Sequence, residues 1–275
     1  MQNLELSWQH WCPINNQPID IPTLTPDPEE HNCRRIAVFT EKGGVGKTSV
    51  AAHLAGAVLH MGTNVVLVDG DEQKNLHLLI GDAGGVNFTD KSGNVRTLYV
   101  EKFKDFDENA YPDHYIVYDC APSFNLNPPD IFKNTTDIVI PVVLSPLSIL
   151  RNAAVITRTI DSIRGVNNKV KFHTIINQFI QSRTAQNYQN TLLSYIRHAM
   201  RKNGYTNDSN VLFYHPSVVS IRRSDIMFHW GTFLLTVGGE PKLAFDAQLN
   251  GSQNLLSDFL GLWEVIENGA GAEDD

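Results

Sequence analysis

An α/β fold, a mostly parallel twisted sheet flanked by helices on both faces, is predicted by three observations. Short runs rich in Val, Ile and aromatics alternate from Arg34 onward with longer stretches of helical periodicity, the pattern of doubly buried strands joined by crossover helices. A glycine-rich segment, Glu41-Lys42-Gly43-Gly44-Val45-Gly46-Lys47-Thr48-Ser49, follows directly on the apolar run Arg35-Ile36-Ala37-Val38-Phe39-Thr40. Two further apolar runs end in Asp69 and Asp119, and a carboxylate at the C-terminal end of a parallel strand projects into the crevice where ligands bind.

In chain order, residues 1–33 are rich in Pro, Asn, Asp and Glu with little periodicity, which reads as an extended arm. It carries no helix-turn-helix pattern. The domain proper is expected over 34–267. Its strands are expected at 35–40, 64–69, 115–119, 137–143, 170–177 and 211–214, each a short run of β-branched or aromatic residues. Helices are expected at 47–61, 147–164, 185–203, 217–229 and 252–267. The first spaces Val50, Leu54, Val58 and Met61 on one face, as a helix packed on a core does. Residues 80–113 are polar and glycine-containing, so they are expected to be loop-rich, with one possible strand at 96–100. A disordered acidic tail is expected over 268–275.

The 275 residues suffice for one large domain, and 42% hydrophobic with 19% charged residues is a globular composition. Three cysteines without paired spacing, Cys12, Cys33 and Cys120, argue for a reducing cytosol and against a disulfide framework or a structural zinc site. The N-terminus reads as polar, without a secretory leader, and no apolar run approaches the ~18 to 20 residues of a membrane span. Net charge is −8, yet residues 151–242 hold 12 Lys and Arg against 4 Asp and Glu. That segment either forms a basic face for a polyanion or merely solvates helix surfaces.

The glycine-rich turn carries the chemistry. A turn between strand and helix lets successive backbone N–H groups point at a phosphate chain. Gly43, Gly44 and Gly46 permit the close approach, with Val45 and Ser49 completing the loop. Lys47 is placed to reach β- and γ-phosphates, and the Thr48 hydroxyl to hold Mg²⁺. Lys42, five positions earlier, is the less usual feature. The string Lys-Gly-Gly-Val-Gly-Lys-Thr resembles the deviant Walker A box of the ParA/MinD family of P-loop ATPases. The resemblance implies that Lys42 reaches across a dimer interface to the partner's nucleotide; alone, it could equally be a solvated loop cation.

Two more boxes carry the resemblance. Asp69-Gly70-Asp71-Glu72-Gln73-Lys74-Asn75 is similar to the family's Asp-x-Asp-Pro-Gln-Gly-Asn switch, with Glu72 and Lys74 as departures. By that match Asp71 positions the attacking water, and Asp69 supports it or the metal. Tyr115-Ile116-Val117-Tyr118-Asp119 has the form of a Walker B strand whose carboxylate meets Mg²⁺, and Asp119-Cys120-Ala121-Pro122 resembles the second switch. Cys120 reads as a small packed side chain. Asn177, ending a strand, and Pro216 match the family's adenine contacts; Asn177 could instead cap its strand. No guanine motif is present, so ATP is favoured over GTP.

What the resemblance implies is a cytoplasmic, nucleoid-associated ATPase that forms a homodimer on ATP and hydrolyses it slowly. A ParB-like or adaptor protein would stimulate it. Non-specific DNA would be bound through Arg197, Arg201, Lys202, Arg222 and Arg223, so that a plasmid, chromosome or organelle cargo is segregated or positioned. A MinD-like membrane switch is the first alternative. It wants a basic amphipathic C-terminal helix, whereas 252–267 contains no Lys or Arg. A nucleotide-gated protein scaffold is the second. An iron–sulfur relative lacks its cysteine pair, and a tyrosine autokinase lacks its tyrosine tail.

Overall fold

The apolar run ahead of the glycine-rich turn forms strand β1, Arg35–Val38, which lies inside an eight-stranded sheet. The computed structural model describes residues 33–71, 75–80, 85–144, 149–180, 183–230, 242–246 and 251–268. The expected arm, Cys33 apart, and the expected tail beyond 268 lie outside the described residues.

The other strands of this sheet are β2 (Val65–Asp69), β5 (Val100–Lys102), β6 (Tyr115–Asp119), β7 (Asp137–Val143), β8 (Lys171–Phe179), β9 (Val211–Phe213) and β10 (Ser220–Arg222). They run in the order β10-β8-β7-β1-β6-β2-β5, with β9 also paired to β8. Every pairing in it is parallel, so the ladder is more uniform than the mostly parallel sheet expected. Two strands stand apart, β3 (Val86–Thr89) and β4 (Val95–Leu98), an antiparallel hairpin. The helices described are α1 (Lys47–His60), α2 (Asn75–Leu79), α3 (Pro129–Asn134), α4 (Ile149–Arg164), α5 (Arg183–Lys202), α6 (Asp225–Phe228) and α7 (Ser252–Asn268).

Alternation along β1 builds the two layers. Ile36 and Val38 pack in one core with α1 and α7, including Leu54, Val58, Phe259 and Leu262. Ala37 and Phe39 pack in the other, with Ile156 and Ile160 of α4 and Ile196 of α5. Each such buried aliphatic side chain contributes about 1.5–3 kcal/mol relative to exposure.

Helix α1 departs from the expected single apolar face: Val50 to Leu59 are all buried. The second cover is the segment 242–246, which lies so close that a Cβ on Gly56 would stand 2.1 Å from Leu243 Cδ1. His53, fully buried, fastens the same contact. Its Nε2 accepts from the Ala244 N–H at 2.8 Å, so the proton must sit on Nδ1, which donates to the Ser49 carbonyl at 2.7 Å.

Two expectations need correction. The polar region 80–113 holds more strand than the one expected at 96–100: that stretch is shared between β4 and the start of β5, β3 adds a hairpin partner, and β5 pairs with β2 in the main sheet. The helix expected at 217–229 is a strand, β10, followed by the one-turn helix α6. Ile221 is the buried residue of β10, and its pairing with β8 outweighs the weak helical periodicity of that stretch.

Candidate nucleotide-binding site

Register places the chemistry at one edge of the sheet. Val38 lies beside Asp119 and Asp119 beside Asp69, so the turn after β1 and both aspartates meet at the C-terminal ends of adjacent strands. The Gly70 N–H donates to the Asp119 carbonyl at 2.9 Å, tying the two carboxylate loops together.

The turn itself has Gly44 at φ 72° and Gly46 at φ 85°, the left-handed region that side chains disfavour. Gly43 and Gly44 are exposed, while Val45 is anchored inward with 2% of its surface accessible. The Gly46 carbonyl accepts the first helical bond, from Val50 N at 2.8 Å. This is an N-terminal anion cradle continuous with α1.

Lys47 is buried and donates from Nζ to the Lys42 carbonyl at 3.0 Å. Burial lowers its pKa, and Asp119 is the chief charge opposing that shift. Asp119 is 1% exposed, and neither carboxylate oxygen has a hydrogen-bond partner among the described residues. Burial pushes its pKa up to about 7; Thr48, then Lys47, pull the other way, and Asp69 and Asp71 add to the rise. A buried carboxylate with free lone pairs beside a threonine side chain and an ammonium is poorly satisfied by protein alone. It fits a hard, hydrated dication such as Mg²⁺, which takes oxygen ligands and keeps most of its waters.

Asp69 accepts two backbone hydrogen bonds. One oxygen accepts from the Asp71 N–H at 3.1 Å, the other from the His77 N–H at 2.8 Å. It braces the first carboxylate loop, leaving Asp71, half-buried, at the mouth. Burial raises the Asp69 pKa and those two N–H groups oppose the rise.

Lys42 donates to Asn152 Oδ1 on α4 at 2.6 Å. Asn152 in turn donates to the Val143 carbonyl at 2.8 Å, and Glu41 pairs with Arg158 and accepts from Ser162 of α4. Lys42 thus lies against the shoulder formed by α4. Asn177 Nδ2 donates to the Val45 carbonyl at 2.8 Å, whereas the sequence placed it against the base. Pro216 is buried after β9, with its carbonyl accepting from the Ser220 hydroxyl at 2.9 Å.

The basic residues divide. Arg201, Lys202 and Arg223 are exposed. Arg197 is half-buried, its guanidinium 5.9 Å from the Phe213 ring centroid, and burial lowers its pKa. Arg222 is engaged inside the fold: two bonds of 2.8 and 2.7 Å hold it to Asp258 of α7. Of the five cations expected to face DNA, Arg222 is thus the one whose guanidinium is paired to a carboxylate.

Sequence reasoning missed two amides. Asn152 is one. Asn127 is the other: its Oδ1 accepts from Ala121 N at 2.8 Å and its Nδ2 donates to the Ala121 and Ser123 carbonyls at 3.1 and 2.7 Å. It staples the loop after Asp119, and the Asn127-Pro128 dipeptide, a turn signal, was the available clue.

Glycine-rich cradle, buried lysine, adjacent threonine and orphaned aspartate on a parallel sheet define a P-loop nucleotide-binding protein. The family model for the CobQ/CobB/MinD/ParA nucleotide binding domain matches residues 36–212, and the chain belongs to that family. Over short stretches it is similar to curated relatives. It is 39% identical over 64 residues to a septum site-determining protein MinD of Nephroselmis olivacea, 23% of each chain. It is 52% identical over 42 residues to the chromosome-partitioning ATPase Soj of Thermus thermophilus, 15% of this chain and 17% of Soj. The chain thus matches under a quarter of the length of these relatives. The solved structure of pNOB8 ParA bound to nonspecific DNA is similar in fold, with TM-score 0.60 and 16% identity over 86% of this chain and all of that one.

Proposed function

We propose that this protein is a ParA-type ATPase that dimerises on ATP, binds DNA without sequence preference and hydrolyses ATP slowly under stimulation by an adaptor protein, so as to segregate or position a cargo. The observation that carries the ATPase reading is Asp119, a buried carboxylate with both oxygens unpartnered beside Thr48 and Lys47. Bound Mg²⁺ would neutralise charge on the β- and γ-phosphates. The chain's own part is positioning and electrostatics. Turn N–H groups would cradle the phosphates, Lys47 would exchange the Lys42 carbonyl for phosphate oxygens, and Thr48 and Asp119 would hold the metal. Asp71 orients the attacking water.

Lys42 completes a second subunit's site when two loaded monomers meet. To do so its ammonium, which donates to Asn152 Oδ1 in the monomer, turns to phosphate oxygens of the neighbouring nucleotide. Nucleotide then holds the dimer together and hydrolysis loosens it. Support for the DNA reading over a membrane reading comes from two places. Arg201, Lys202 and Arg223 are exposed cations, and α7 spends Leu255, Phe259, Leu262, Trp263 and Ile266 in the core. Such a helix directs its main apolar face into the core and carries no Lys or Arg for anionic lipid. Among the described residues no helix is long and apolar enough to cross a membrane.

Mobility shift of a random duplex tests this. The protein with Mg²⁺ and a non-hydrolysable ATP analogue is expected to retard DNA at 50 mM salt and release it near 200 mM. The variant Arg201→Ala/Arg223→Ala is expected to bind about tenfold or more weakly with a shallower salt slope. Absence of any shift at low salt, with flotation on anionic liposomes instead, would move the assignment to the membrane alternative.

A further inference from the structure

We infer that Asn177 is a positioning residue for the phosphate cradle: its side-chain amide holds the glycine-rich turn in its anion-binding shape, and it does not read the base. The inference rests on the nucleotide-binding reading above and assigns a different task to one of its residues.

A cradle whose N–H groups converge on an anion must turn carbonyls the other way, into the protein. There each buried carbonyl needs a donor. The Val45 residue is buried, and its carbonyl receives Asn177 Nδ2 at 2.8 Å from 132 residues away. Asn177 is itself 4% exposed, in the pleat beneath the turn. Its Oδ1 accepts from the Gln178 N–H at 3.0 Å, which fixes which end of the amide faces Val45. Gln178 has φ 58°, the positive-φ non-glycine residue among those described, a backbone setting that costs roughly 1–2 kcal/mol. That turn of the chain brings the Gln178 N–H onto its neighbour's oxygen.

Gly46 supplies the complementary surface. A Cβ there would lie 2.6 Å from Asn177 Nδ2, closer than real contacts allow, so the amide reaches the turn through the space that glycine leaves open. An aspartate at 177 would set an oxygen against the Val45 carbonyl. A glutamine would push an extra methylene into the turn. The chemistry of the position is therefore a short neutral amide with its donor aimed at the cradle.

The discriminating ligand is inorganic tripolyphosphate, which has phosphates and no base. Calorimetric binding of Mg²⁺-tripolyphosphate, Mg²⁺-ATP and Mg²⁺-GTP would be compared in the wild type, Asn177→Asp and Asn177→Ala. The expected result is a loss of about tenfold or more for all three ligands alike, with the ATP-to-GTP affinity ratio within about twofold of wild type. Thermal melts would show the variants folded. Unchanged tripolyphosphate binding together with a collapsed ATP-to-GTP ratio would overturn the inference, as would unchanged binding of all three. If the wild type binds neither ATP nor tripolyphosphate, the nucleotide reading fails first, and visibly. Should both variants fail to fold, the wild-type protein decides. The ¹⁵N resonance of the Asn177 side-chain amide is expected to be slow to exchange and identical in the ATP and GTP complexes. A shift that follows the base would contradict the cradle role.

Discussion

Asp119→Asn is expected to raise the stability of the protein in the absence of nucleotide while abolishing Mg²⁺-dependent hydrolysis. The two effects have one origin. At pH 7.5 the wild-type carboxylate carries charge in a fully buried place, where Thr48 and Lys47 offset only part of the cost of burial. A carboxyl whose pKa is pushed up to about 7 by burial costs the fold on the order of 4 kcal/mol once ionised. The amide removes that charge but brings its own unpaired N–H groups, costing about 1–3 kcal/mol. The expected net gain is about 2 kcal/mol at pH 7.5, read as a higher urea midpoint. Activity goes the other way. Losing the anionic metal ligand removes a term worth several kcal/mol, so turnover should fall by about 100-fold or more. A variant less stable than wild type at that pH would refute the account of Asp119 as a group awaiting a cation.

Acid should loosen α1 through His53. Burial lowers its pKa from 6.5 to about 4, and both ring nitrogens are already used, Nδ1 donating to Ser49 and Nε2 accepting from Ala244. Because the folded value lies below the unfolded one, the unfolded chain takes the proton first as pH falls. The contribution is complete above about pH 6.5 and is lost progressively down to about pH 4. Between pH 7 and pH 4.5 the loss is about 2.5 kcal/mol. Urea unfolding at the two pH values measures it. His53→Gln is expected to be weaker at both, yet to lose distinctly less between them, since it has no proton to gain. An equal drop in wild type and variant would assign the acid sensitivity elsewhere. The structural consequence is specific: protonated Nε2 cannot accept from Ala244, so the 242–246 segment is the part expected to detach.

Local chemistry was legible in the sequence, and distant chemistry was not. The strands ending in Asp69, Asp119 and Val143, and the turn from Lys42 to Ser49, announce themselves because apolar period, glycine spacing and terminal carboxylate lie within ten residues of one another. The strand β5, three residues long at the sheet edge, carries no periodic signal; β2 alone gives it a partner. The same holds for β10, a three-residue strand against β8 in a stretch that reads as helix. Two amides that shape the site, Asn152 and Asn177, act across gaps of 110 and 132 residues. An asparagine that serves a distant backbone carbonyl looks in sequence like one that caps its own strand. The pairing of Arg222 was hidden for the same reason, its partner Asp258 lying 36 residues on.

In the proposed dimer Lys42, which donates to Asn152 in the monomer, serves a neighbour's nucleotide. Sedimentation velocity tests it most directly, with Mg²⁺ and a non-hydrolysable ATP analogue on the wild type and Lys42→Ala. The account predicts a wild-type dimer with the analogue and a monomer with ADP, while Lys42→Ala stays monomeric in both although it binds the analogue within about threefold of wild type. A Lys42→Ala protein that dimerises as readily as wild type would contradict it.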